Sequence, residues 1–192
     1  TGSEFVILRD YFESQGYATA IGDPESLEYD GRHLRLGNFE IDVFYKRVII
    51  HEFLERYDES HPLSRAMADG KVCMANSFRC KLPHKKASLA ILSDDRYHRL
   101  FSPVQLEMIA KHIPWTRRVE YGFTSYKDSD EIDLIEFIRA ERQRFVLKPN
   151  DDYGGKGIAF GWESSESEWD DAIEQAVTSK YIVQERADVE RS

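Results

Sequence analysis

Helical and extended patterns alternate along most of the chain, which predicts an α/β protein with α+β elements. Two observations carry that prediction. The chain opens with an amphipathic helical pattern leading into a short apolar stretch. It closes with three β-rich segments, Phe145-Val146-Leu147-Lys148, Ile158 to Trp162 and Tyr181 to Glu185, separated by a glycine-rich loop and then an acid-led helix. The 192 residues are 41% hydrophobic and 32% charged, a balance that builds a core instead of leaving the chain disordered.

Taken in order, Ser3 caps a predicted helix that ends at Gly16, with Phe5, Leu8, Tyr11 and Phe12 on one face. Tyr17 to Ile21 reads as a strand. Leu27 to Tyr29 and His33 to Leu36 read as a hairpin turned by Asp30-Gly31, and Phe39 to Tyr45 as one further strand. Short helices are expected at His51 to Tyr57 and Pro62 to Ala68, and a buried strand at Lys71 to Ala75. Further helices are expected at Lys85 to Leu92, at Val104 to His112, and from Asp128 to about Arg142, acids first and arginines last. Ser164 to Val177 reads as the acid-led helix between the last two strands. The spacing supports two regions, 1–125 and 126–192, with a weakly marked boundary rich in Gly, Ser and charge.

Composition excludes several classes. A net charge of -9 argues against a general nucleic-acid binder. No apolar run approaches the roughly eighteen residues of a membrane span, and no secretory leader pattern opens the chain. Cys73 and Cys80 are expected to be free thiols of a cytoplasmic protein. The scattered histidines support no zinc site, and His51, His61 and His84 are expected at the surface or in the core. Trp115, Trp162 and Trp169 are expected to serve packing.

The closing block has a direct phosphate reading. A strand ending at Lys148 fixes an ammonium, and Gly154, Gly155 and Gly157 allow positive φ and close approach of backbone N–H groups to an anion, with Lys156 at the loop tip. The spacing is not that of a Walker A loop, and a strand follows instead of a helix. Taken alone, the loop equally describes a glycine-rich hairpin with an exposed lysine. The later strand, Tyr181 to Glu185 followed by Arg186-Ala187, offers apolar walls and backbone groups along one edge, as adenine recognition requires.

Over residues 145–189 these pieces together resemble the ATP-grasp superfamily. The resemblance implies an antiparallel nucleotide-binding sheet with helices behind an N-terminal α/β layer. It assigns Lys148 and Lys156 to phosphate contacts, Gly154, Gly155 and Gly157 to the covering loop, and Gln184, Glu185 and Ala187 to the adenine hinge. Upstream, Ile41 to Arg47, Lys71 to Phe78 and Pro114 to Arg117 extend the likeness to circularly permuted members similar to glutathionylspermidine synthases. The implied activity is ATP-dependent joining of a small carboxylate and an amine through an acyl phosphate, with ATP and Mg2+ as cofactors. A non-catalytic nucleotide-binding module and an ATP-grasp kinase stay open as alternatives.

Residues 76–99 carry six basic side chains, Arg79, Lys81, Lys85, Lys86, Arg96 and Arg99, against the acids Asp94 and Asp95. In an acidic chain that patch fits an anionic ligand and nominates Asn76, Arg79, Lys85 and Lys86 as anion or substrate contacts; Arg47 joins them because it stands at a strand end, where α/β folds place ligands. No Glu-x-Asn pair for magnesium occurs, so no metal ligands are assigned in this chain and a fragment of a longer protein is expected.

Overall fold

The computed structural model describes residues 2–127, 129–152 and 154–187, apart from the side chain of Asp130. They fall into two units, Thr1–Cys80 and Lys81–Ser192. The boundary read at 125/126 falls inside the second unit, because residues 116–118 pair into the C-terminal sheet.

In unit 1, α1 (Gly2–Ser14) begins one residue before its expected cap and buries none of its residues; Phe5, Leu8 and Phe12 are half-buried, and Tyr11 is exposed. Tyr17 to Ile21 forms no strand, since no neighbouring backbone pairs with it. β1 (Leu27–Tyr29), β2 (Leu34–Leu36) and β3 (Phe39–Ile41) make an antiparallel meander, with Leu27 opposite Leu36 and Leu34 opposite Ile41. The hairpin loop spans four residues, not two. Asp30 Oδ1 accepts the N–H groups of His33 at 2.7 Å and Arg32 at 2.8 Å, and these bonds lower its carboxyl pKa to about 2.

The segment read as one strand from Phe39 to Tyr45 divides at Asp42. β4 (Val43–Tyr45) leaves the meander and pairs in parallel with β5 (Cys73–Ala75), after α2 (Ile50–Arg56) and α3 (Pro62–Ala68). β5 was expected to be buried, yet Cys73 and Ala75 are exposed, because β4 and β5 form only a two-stranded ribbon. The unit's core gathers Leu27, Leu34, Phe53, Leu63 and Ala66. His61 caps α3: Nδ1 accepts the Leu63 N–H at 3.2 Å and Nε2 donates to the Pro24 carbonyl at 3.2 Å. That arrangement needs the neutral ring, which burial also favours by lowering its pKa.

Unit 2 begins with α4 (Lys81–His84), which the sequence reading lacked, and α5 (Ala87–Ser93), where a helix was read from Lys85 to Leu92; it continues through α6 (Pro103–His112) to β6 (Thr116–Arg118). β7 (Phe123–Tyr126) and β8 (Ser129–Asp133) form a hairpin before α7 (Leu134–Ala140). The helix expected from Asp128 thus starts only at Leu134. Asp133 caps it by accepting the Glu136 N–H at 3.0 Å, while residues 129–133 pair with β7; Asp128 itself lies outside the described residues.

β9 (Phe145–Lys148), β10 (Ala159–Phe160), α8 (Glu166–Ser179) and β11 (Ile182–Glu185) complete the unit, and the four-stranded sheet runs β10-β9-β11-β6 with every pairing antiparallel. α8 starts in a capping box in which Ser165 and Glu168 serve each other's backbone N–H. Phe145, Leu147 and Val183 point to the helix side and pack with Ile135, Ile138, Trp169, Ile173 and Ala176. Trp169 is 1% exposed and its Nε1 donates to the Ile138 carbonyl at 2.9 Å, so the expectation of a packing tryptophan holds at this position. Among the described residues no helix is long and apolar enough to cross a membrane.

Ile173 has no exposed surface and sits in the middle of this core. Ile173→Ala is expected to destabilise unit 2 by about 2–5 kcal/mol, read as a lower midpoint in urea denaturation.

Candidate functional site

Strand alternation builds the site. In β11, Gln184 lies opposite Val146 of β9 and Thr116 of β6, and Ile182 lies opposite Lys148 and Arg118. These residues share the sheet face turned away from α7 and α8. Phe160 joins them, since β10 places it opposite Val146. A cleft of about 390 Å³ opens on this face. Val146, Phe160, Trp162 and Pro114 are its apolar walls, Lys148 and Gln184 its inner polar groups, and Glu185, Arg186 and Ala187 its remaining border.

Four residues read as ligand contacts therefore converge: Lys148, Gln184, Glu185 and Ala187. They do so in different ways. Lys148 Nζ donates to Gln184 Oε1 at 2.6 Å. Glu185 turns its carboxylate away from the cleft, where Tyr126 Oη donates to it at 2.6 Å and Arg144 at 3.0 Å. The Glu185 N–H is bound by the Trp115 carbonyl and the Arg186 N–H by the Arg144 carbonyl, each at 2.8 Å, so the strand end is anchored from the rear.

Trp162, expected to serve packing alone, is a wall of the cleft; its ring lies 5.0 Å from that of Phe160 and carries the Arg186 guanidinium at 4.6 Å. Phe160, Pro114 and Arg186 were not read as ligand contacts from sequence. The strand read from Ile158 to Trp162 is only Ala159–Phe160, and Trp162 reaches the cleft from the turn that follows it, so strand alternation does not account for its position.

The glycine loop connects β9 to β10, and its two halves differ. The first half is clamped by the segment that starts unit 2. The Asn150 carbonyl accepts the Lys86 N–H at 3.0 Å, Asn150 Oδ1 accepts the Ala87 N–H at 2.8 Å, and Lys86 Nζ donates to the Asp152 carbonyl at 2.7 Å. Lys81 pairs with Asp151 at 2.5 Å, and Lys85 lies 3.9 Å from the same carboxylate. In the second half Gly154, Gly155 and Gly157 all take positive φ, at 67°, 76° and 68°. A Cβ at Gly154 or Gly155 would meet open space, whereas one at Gly157 would strike Tyr181 Oη at 2.8 Å and Pro149 Cγ at 2.9 Å. Lys156 sits exposed in this turn, and neither it nor the three glycines lines the cleft. Tyr153 lies outside the described residues.

The other nominated residues belong to unit 1. Arg47 is ion-paired with Glu4 and lies 5.9 Å from the Tyr45 ring centre, Asn76 Nδ2 donates to the Lys46 carbonyl at 3.1 Å, and Arg79 occupies a short turn.

Electrostatics sets Lys148 apart. It is half-buried, its bonded acceptor is a neutral amide, and among the described residues it makes no ion pair. Burial, and then the charge of Lys86, pull its pKa below the ordinary 10.5. A second cation close to a poorly solvated ammonium is an arrangement that an anion relieves. For a divalent metal the residues do not fit: among those described, no three His, Cys, Asp or Glu side chains converge, and Glu185 is committed to Tyr126 and Arg144. The chain matches no protein-family model and no curated protein.

The Lys148 charge has a consequence for stability. Its folded pKa lies below the unfolded value, so the unfolded chain holds the proton more tightly. Stability therefore rises with pH through the window that ends near 10.5, and the charge is a cost below that window. Lys148→Met removes the cost. In the absence of ligand, the urea midpoint of Lys148→Met relative to the wild type is expected to be higher at pH 7 than near pH 10.5, because the wild type gains stability over that window while the variant has no such group. A difference that does not fall as pH rises would contradict the electrostatic assignment.

Proposed function

We propose that unit 2 binds a nucleoside triphosphate, ATP, as the nucleotide-binding part of an ATP-grasp-type carboxylate–amine ligase. The observation that carries the reading is the half-buried Lys148 ammonium, held by a neutral amide and shadowed by Lys86, at the polar end of a cleft with aromatic walls.

The base fits the part of the cleft walled by Val146, Phe160 and Trp162, where the two aromatic rings offer π faces for a purine to stack on. With the Glu185 and Arg186 N–H groups already bound, the carbonyl groups from Glu185 to Ala187 and the Ala187 N–H are assigned the polar edge that reads it. The phosphates fall to Lys148 and Lys86, while Lys156 and the positive-φ amides of the glycine loop, which lie outside the cleft lining, are assigned to the part of the triphosphate that extends past it. In the full reaction ATP supplies the phosphoryl group that activates a carboxylate for attack by an amine. This chain's share is to orient the triphosphate and to oppose the negative charge that develops on it. Magnesium accompanies ATP in such reactions, but the described residues give it no carboxylate cluster, so the charge stabilisation assigned to this chain is that of its lysines and loop amides.

The same lack of a carboxylate cluster among the described residues favours one second reading, a nucleotide-binding module without catalysis. Release of ADP on incubation with candidate carboxylates and amines separates the two.

Calorimetric titration with ATP, with and without magnesium, tests the reading. Lys148→Ala is expected to weaken binding about tenfold or more, since a charge-assisted hydrogen bond of this kind contributes about 1.5–3 kcal/mol. A folded Lys148→Ala protein that binds ATP as the wild type does would sink the assignment. Gln184→Glu probes the same site with the opposite sign. It gives Lys148 a carboxylate partner, so it is expected to keep the fold while weakening ATP at least tenfold, because the phosphates then compete with a built-in anion. Equal affinity in this variant would show that Lys148 is not the phosphate contact.

A further inference from the structure

We infer that Thr116, buried beneath the cleft and outside its lining, is the positioning residue that aims the Lys148 ammonium by dictating which way round the Gln184 amide sits.

Thr116 has no exposed surface, and Gln184 is 7% exposed. Thr116 Oγ1 donates its one proton to the Pro114 carbonyl at 2.8 Å, so toward Gln184 it can only accept, and it takes the Nε2 hydrogen at 2.9 Å. That leaves Oε1 as the amide atom facing the other way, toward Lys148 at 2.6 Å. An ammonium only donates, so the chain Pro114–Thr116–Gln184–Lys148 closes with every donor opposite an acceptor in this one orientation. The opposite amide orientation would set an N–H2 group against the ammonium and leave Thr116 Oγ1 facing a carbonyl oxygen with no proton between them. Thr116 is itself immobilised: Ser93, the last residue of α5, accepts the Thr116 N–H at 3.0 Å and donates to its carbonyl at 2.9 Å through the same hydroxyl. Among the described residues, the result is a lysine held by one neutral acceptor, with an anion assigned to its other N–H directions. The consequence for nucleotide affinity rests on the nucleotide reading; the aiming of Lys148 does not.

Thr116→Val keeps the side-chain shape and removes the hydroxyl, and Thr116→Ser restores it. With lysines carbon-13 labelled at the carbon next to the ammonium, and the Lys148 signal assigned by its loss in Lys148→Ala, the titration of this one group is followed by NMR. Thr116→Val is expected to lower the Lys148 midpoint by about one pH unit, the value of a lost charge-assisted hydrogen bond, and Thr116→Ser to return it to that of the wild type. Calorimetry with two probes then separates aiming from general damage. Thr116→Val is expected to weaken ATP about tenfold while leaving adenosine within about twofold, because only the phosphates meet Lys148. Should Thr116→Val fail to fold, Thr116→Ala, which also lacks the hydroxyl, takes its place. A Lys148 titration unmoved in a folded hydroxyl-free variant overturns the inference, whether or not ATP binds. A moved titration in a protein whose wild type binds no ATP leaves the inference standing and removes the nucleotide reading instead.

Discussion

Antiparallel pairing of β11 with β9 on one side and β6 on the other is the constraint from which unit 2 follows. With side chains alternating across the sheet, the register that puts Val183 opposite Leu147 also puts Gln184 opposite both Val146 and Thr116. One face then holds Phe145, Leu147 and Val183 against α7 and α8, where each fully buried apolar side chain contributes about 1.5–3 kcal/mol. The other face holds Thr116, Gln184 and Lys148 along the cleft. A slip of one residue would turn the core outward and the polar chain inward, so the energy that stabilises the core also fixes the geometry of the site.

Two buried or half-buried cations of this unit show what distinguishes a structural charge from one suited to a ligand. The Arg117 guanidinium is 3% exposed, yet it donates to Thr124 Oγ1 at 2.6 Å, to the Ser93 and Thr116 carbonyls at 2.9 Å, and to the Ser125 carbonyl at 3.2 Å. It also stacks 4.8 Å from the Trp115 ring centre and lies 3.9 Å from Asp94. Burial lowers its pKa against the opposing pull of Asp94, and its donors are met within the fold. Among the described residues, Lys148 has one neutral acceptor and a neighbouring lysine. Desolvation of that kind, left without a countercharge, is a cost to folding that binding an anion recovers, and for this reason the nucleotide proposal is built on Lys148 and not on Arg117.

The elements legible in sequence were those with strong local signals. The helix read at Val104 to His112, the acid-led helix read at Ser164 to Val177, and the apolar run of β9 all appear where the sequence placed them, within a residue or two. Tyr17 to Ile21 carried the composition of a strand but found no backbone to pair with, and Phe39 to Tyr45 was divided because β4 pairs with β5 after two helices instead of continuing the meander. At Asp128 to Asp133 the acids fitted a helix start equally well, and pairing with β7 decided against it. Of the site, Lys148, Gln184 and Ala187 were legible because they stand at the end of a strand or just past it. Glu185 was found for its position, but its carboxylate serves the rear of the sheet.

The sequence by itself determined the strand–loop–strand block and the positive-φ glycines between Pro149 and Ile158, because each depends on backbone preferences within a few residues. Only the tertiary structure decided that Trp162 would be a wall of the cleft, that Asn150 would hold the segment bearing Lys86, and that Thr116 would reach Lys148 through Gln184. Those contacts join residues 63, 68 and 36 positions apart. Their existence depends on which strands pair and in which register, a choice made by burial of the whole core and not by any local stretch of chain.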